Sequence, residues 1–364
     1  MRRHVALLAA LLAVGCMRPS EERAERDRDV GNARAAGMSV RAYGGLAAVR
    51  RIRPGELVLW GSAPALKLRV DVDESAPREF RLELHNCLSD SELSASDPRV
   101  RVTASSVPPP VLTRKAWSVS LPAAGSFVLG FAPRDADAPG RFSFAVLSDV
   151  QEALERLSDI HQKLNAEPEI RFLLGAGDLT ERGTREQLER YQRELTRLQV
   201  PYFTTLGNHE LGQDPTLWHE YFGRGSFHFM FRGVSFTLLD SASATIDPLV
   251  YDWLDAWLAS ARARVHVVGM HIPPVDPIGV RNGSFANRNE AAKLLTRLAR
   301  GGVDLTLYGH IHSYYAFENA GIPAHISGGG GAIPERFDGI GRHFLVVDVD
   351  AASGVRDVRV VRVD

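Results

Sequence analysis

From Phe142 onward the chain repeats one unit: a short apolar run, a polar loop, then a stretch with apolar residues at helical spacing. That alternation fits a layered α/β fold with parallel strands, because each strand must leave its sheet through a crossover before rejoining it. The apolar runs at 142–147, 171–176, 201–206, 265–270 and 303–308 predict five strands. Helices are expected over 154–164 and 289–298. Two more should follow Thr184, which makes a capping-box signal with Gln187, and the cap Asp247-Pro248. Trp253 and Trp257 share helical spacing with Val250, Leu254 and Leu258 and belong in the core.

Residues 38–138 read differently. Leu66, Leu68, Val70 and Val72 alternate with polar residues, as do Phe80, Leu82 and Leu84, then Val119 and Leu121, then Phe127, Leu129 and Phe131. Short alternating runs separated by Pro and Gly predict a small β-sandwich, immunoglobulin- or fibronectin-like, ahead of an α/β domain over 139–364. It carries no cluster of chemically useful residues, and a spacer or packing role is expected of it.

The first 16 residues combine Arg2 and Arg3 with an apolar run at 5–14 and end in Gly15-Cys16. Ten apolar residues fall short of the roughly 20 that a spanning helix needs, which favours a signal peptide. Its end resembles a bacterial lipoprotein processing site, with Cys16 lipidated. That implies a protein of the bacterial cell envelope, held on a membrane through Cys16 and facing the periplasm or the exterior. Residues 17–37, charged and small, read as a flexible tether, and Cys87 as a buried thiol. With 43 basic and 44 acidic side chains the net charge is -1, so no nucleic-acid-binding surface is expected. Two cysteines exclude a disulfide scaffold.

Functional groups in open α/β sheets gather beyond the carboxyl ends of the strands. Here those ends carry Asp149-Val150-Gln151, Gly177-Asp178, Gly207-Asn208-His209-Glu210, His271 and Gly309-His310-Ile311-His312. Mixed imidazole and oxygen donors suit Mn, Zn or Fe better than Mg or Ca alone. The series resembles the calcineurin-like metallophosphoesterases, a binuclear metallophosphatase superfamily, with all five family blocks in order between about 139 and 350. The resemblance implies a four-layer αββα sandwich holding two divalent ions, or iron with a divalent partner. Asp178 would bridge them, with Asp149, Gln151 and His312 completing one site and Asn208, His271 and His310 the other. A metal-bridging hydroxide would attack a phosphomonoester or phosphodiester, while His209 stabilises charge and protonates the leaving oxygen.

Gln151 stands where most of that family has His, and a neutral amide oxygen is a weaker ligand. The segment Asp178-Leu179-Thr180-Glu181 lacks the tyrosine that colours purple acid phosphatases. Arg182, His219 and His228 are candidate substrate contacts. His161 and His266 are expected as satisfied packing residues, and the run Ser327-Gly328-Gly329-Gly330-Gly331 as a mobile loop. A second reading is a non-catalytic envelope lipoprotein that keeps the metals for structure and binds a partner through its β-domain. The intact His209 argues against it, since a binding protein has no use for an acid.

Overall fold

The computed structural model describes residues 19–364 apart from 168, 213, 263 and 280–282; the signal-like segment and Cys16 lie outside the described residues. From residue 141 two sheets face each other. One runs Tyr202–Thr205, Ile170–Ala176, Arg141–Leu147, His343–Asp350, Gly354–Arg362; its first three strands are parallel and the rest antiparallel. The other runs Phe227–Phe231, Val234–Leu239, His266–Met270, Leu305–Tyr308, Ile322–Ser327, Tyr314–Asn319.

Strand alternation sorts the side chains into layers. Phe144, Val146, Phe172 and Leu174 join Phe203, Phe229 and Phe236 in the core between the sheets. Ala145, Leu147 and Leu173 point the other way, onto the helices Leu157–Ala166 and Arg185–Leu195. The helices Pro248–Ala261 and Arg288–Arg300 cover the second sheet. The architecture is the expected αββα sandwich. Pairings Leu147 with Gly175, Ala176 with Thr205 and Met270 with Tyr308 bring the strand ends to one edge of each sheet.

Residues 32–133 form two five-stranded sheets around Leu57, Leu59, Leu68, Val70, Leu82, Leu84, Leu129 and Phe131. The ten strands include a parallel pair, Glu56–Gly61 with Glu79–His85, and outnumber the seven of the simplest immunoglobulin-type sandwich. Asn86 ties this sandwich to the α/β half: its amide donates to the carbonyls of Gly61 and Tyr202, and its Oδ1 accepts from Tyr202 N at 2.7 Å. Cys87 beside it is buried, and burial pushes its thiol up to about 12.

The flexible tether is corrected. Pro19–Asp29 is a helix, and the strands Asn32–Ala35 and Met38–Ala42 already belong to the sandwich. The charges are not all solvated: Arg23 and Asp27 are 1% and 2% exposed and pair with groups more than 190 residues away.

His161 corrects a second expectation. It is buried on its helix, yet among the described residues neither ring nitrogen finds a hydrogen-bond partner, and burial lowers its pKa to about 4. His266 is half-satisfied, through Nε2 and Thr237 Oγ1 at 2.8 Å, and its Nδ1 finds no partner among the described residues. The folded protein keeps His161 neutral where the unfolded chain, titrating near 6.5, takes up a proton. Its stability contribution is therefore complete above about pH 6.5 and lost as pH falls towards 4, by about 1.4 kcal/mol per unit. Urea titrations from pH 7.5 to 4.5 should show His161→Leu flattening the acid loss by that slope; an unchanged slope would contradict the assignment.

Candidate metal centre

Strain marks the site before any side chain is considered. Asp149, Gln151, Asp178 and His310 all have left-handed backbone, with φ of 59°, 47°, 52° and 71°. Such conformations cost of order 1–3 kcal/mol each and persist where the surroundings fix them. Here the loops fix one another: Asp149 N donates to Gly177 O, Val150 N to Asp178 O, and Gly309 N to His271 O. The Asp149 carboxylate accepts from His310 N and from the Ser148 hydroxyl.

Asp178, 1% exposed, is the hub. Its Oδ1 accepts from His209 N at 3.0 Å, and its Oδ2 lies 2.8 Å from Gln151 Nε2 and 3.2 Å from His271 Nε2. Asp178, His271 and His310 offer ligand atoms within 4.8 Å of one another. His271 Nε2 also meets Asn208 Oδ1 at 3.0 Å. On the other side His312 Nε2 lies 3.3 Å from Gln151 Nε2 and 3.5 Å from Asp149 Oδ1. The structure thus gathers all seven expected ligands into two groups that meet at Asp178. Gln151 is among them, buried against both Asp178 and His312.

The donor set fits metal. His271, His312 and His209 each place Nδ1 within 2.7 Å of a carbonyl, of Ala176, Ile333 and Glu181 respectively. A carbonyl only accepts, so Nδ1 carries the proton and Nε2 faces the cluster, the outer-shell arrangement that fixes metal-ligating histidines. Without metal the carboxylates hold charge on the rings. Against burial, Asp178 raises His271 to about 9, and against burial Asp149 raises His312 to about 9. A metal bound there would displace those protons, so affinity should rise with pH.

His209 sits at the rim, 29% exposed, with Nε2 3.9 Å from Asp178 Oδ2. Arg182 is exposed on the loop beside Glu181, whose carbonyl holds His209. Two expected substrate contacts fall elsewhere. His219 is buried between Thr216 O and Asp27, because the short helix Leu217–Tyr221 turns it under the N-terminal helix. His228 bonds Thr237 Oγ1 and stacks on Trp257, at the outer helix layer.

Sequence reasoning identifies neither of two further supports. Glu210 is fully enclosed and accepts from the backbone N–H groups of Asp178, Thr180 and Gly207, tying together two ligand loops. The glycine run is no mobile loop but a buried floor. Gly330 N donates to Ser148 O and Ala332 N to Asp149 O. A Cβ on Gly328 would lie 2.2 Å from Ile311 O, and one on Gly330 2.4 Å from Ser148 O. Glycine is needed there for close approach to the ligand loops.

Residues 142–314 match the family model described as calcineurin-like phosphoesterase. That stretch contains every candidate ligand, from Asp149 to His312. A 3',5'-cyclic-nucleotide phosphodiesterase of Nostoc sp. is 29% identical over 158 residues, 41% of this chain and 58% of that protein. The chain therefore matches under two thirds of that relative's length. Among solved structures, a purple acid phosphatase of yellow lupin (Lupinus luteus) aligns over 82% of this chain and 72% of its own, at TM-score 0.52 and 14% identity. That likeness is one of fold, and its extent reaches beyond the phosphoesterase domain into the β-sandwich.

Proposed function

We propose that this phosphoesterase domain hydrolyses phosphate esters at a two-metal centre built on Asp178. The observation that carries the reading is the position of Asp178 Oδ2, in reach of Gln151 on one side and His271 on the other. Asp149, Gln151, Asp178 and His312 would hold one ion, and Asp178, Asn208, His271 and His310 the other. The donors suit Mn, Zn or Fe. When bound, the metals supply Lewis acidity towards phosphoryl oxygens and a water acidic enough to attack near neutral pH.

His209 does the chain's own proton work. Its Nδ1 is committed to Glu181 O, so a protonated ring presents Nε2–H to the cleft, where it offsets phosphate charge and passes its proton to the leaving oxygen. The similarity to a cyclic-nucleotide phosphodiesterase makes diesters the first class to assay. His209→Gln should lower kcat by about 10²–10⁴-fold with metal content unchanged, most strongly for poor leaving groups. An unaltered kcat would remove the acid role.

The apolar run at 5–14 and Gly15-Cys16 support an envelope location with a lipid anchor on Cys16. Among the described residues no helix is long and apolar enough to cross a membrane. The full-length protein should partition into detergent and Cys16→Ala into the aqueous phase; equal partitioning would exclude the anchor.

A further inference from the structure

We infer that Arg23 and Asp27 of the N-terminal helix are positioning residues for the Asn208–His271 half of the metal centre. The inference rests on the two-metal reading above.

The helix Pro19–Asp29 has little reason to exist by itself. Its sequence, PSEERAERDRD, is 11 residues long, and Ala24 is the one buried hydrophobic residue among those whose burial is described. Isolated helices of that length are marginal even in favourable sequences. What docks it is a pair of buried charges one helical turn apart, which project from the same face.

Each charge reaches a loop that leads to a metal ligand. The Asp27 carboxylate accepts from Gly225 N at 2.8 Å and Ser226 N at 2.9 Å, and its Oδ1 meets His219 Nε2 at 3.0 Å. Gly225 O in turn accepts from Thr205 Oγ1 at 2.8 Å, and Thr205 ends the strand that runs into Asn208. Arg23 places Nε 2.7 Å from Asp240 Oδ2 and Nη2 3.1 Å from both Asp240 Oδ1 and Ser243 Oγ. Next to Asp240, Ser241 Oγ accepts from Ile272 N at 2.8 Å, directly after His271. The two loops are joined, since Asp240 N donates to Ser226 Oγ at 2.9 Å.

Both relays therefore end within three residues of Asn208 and His271, which contact each other. Without the helix, the Asp240 carboxylate loses its guanidinium and the Gly225 and Ser226 N–H groups lose their acceptor. Buried polar groups without partners force a rearrangement of the loops that carry them. The Asp149–His312 half hangs on the glycine floor and on Ile333 instead, so the effect should fall on one ion.

The test is a cobalt titration of metal-stripped full-length protein, followed by visible absorption, with near-UV circular dichroism reporting the fold. The wild type should take up two Co²⁺ ions. Asp27→Asn, which keeps shape and loses charge, and Arg23→Leu should weaken one of the two by about 10–100-fold and leave the other; Arg23→Lys should recover part of the loss. Two ions bound with wild-type affinity by the folded variants would overturn the assignment, and Asp27→Asn decides alone where Arg23→Leu does not fold. A wild type that binds fewer than two ions would instead overturn the two-metal reading itself.

Discussion

Asp178→Asn is expected to bind metal more than about 100-fold more weakly than the wild type and to lose ester hydrolysis with it. Changes in the outer shell of a metal site already cost about 10–100-fold, and Asp178 faces both halves of the centre. Although buried, its carboxyl is held well below the usual carboxylate range by His271. The replacement is nearly isosteric, and its amide oxygen still accepts from His209 N, so the loops have reason to keep their places. What disappears is the negative charge that Gln151, His271 and any bound cation share. Metal content after equilibrium dialysis, read beside near-UV circular dichroism, is the check. A folded variant with undiminished metal would remove Asp178 from the centre of the site.

Glu210→Gln should be nearly as damaging, through the fold of the loops. One carboxylate oxygen accepts from Asp178 N and Gly207 N, both at 2.9 Å, and the other from Thr180 N at 2.9 Å and Thr180 Oγ1 at 3.0 Å. A glutamine offers one oxygen, so either orientation of its amide sets an NH₂ against backbone donors. Each buried donor left unpaired costs about 1–3 kcal/mol, which gives a loss of about 2–6 kcal/mol for the two donors that face the NH₂. Metal affinity should fall about 10–100-fold as well, because Asp178 and Asn208 lose their common brace. Burial, then Asp178, raises the Glu210 carboxyl to about 7, so unfolding is best compared at pH 8, where it is ionised. A variant within 1 kcal/mol of the wild type would show that the brace is dispensable.

The α/β half was legible because its periodicities are local. The capping signal at Thr184 and Gln187 marks the helix that begins at Arg185, and Asp247 caps the one that begins at Pro248. The candidate ligands could be placed because each follows an apolar run, and register then carries them to one edge. Other features depend on partners that no local window contains. The charges of residues 19–29 look solvated until Asp240, 217 residues beyond Arg23, is seen to receive one of them. His219 lies close to His209 in sequence, but a single helical turn hands it to Asp27. Glycines 328–331 signal freedom when read alone; in the fold the missing side chains make room for Ser148 and Ile311. Glu210 is visible in its quartet, yet its three backbone partners span two loops. His161 follows the helical period faithfully, and only burial without a partner separates it from a satisfied histidine.

The most direct test of the central claim is turnover by full-length protein stripped of metal and then refilled with Mn, Zn or Fe. A bis-aryl phosphate and an aryl phosphate serve as substrates, and bound metal is counted in the same samples. Hydrolysis absent from the stripped protein, restored in step with two bound ions and absent again in Asp178→Asn is the predicted result. Two ions bound without turnover of either ester, or turnover that survives the removal of metal, would contradict it.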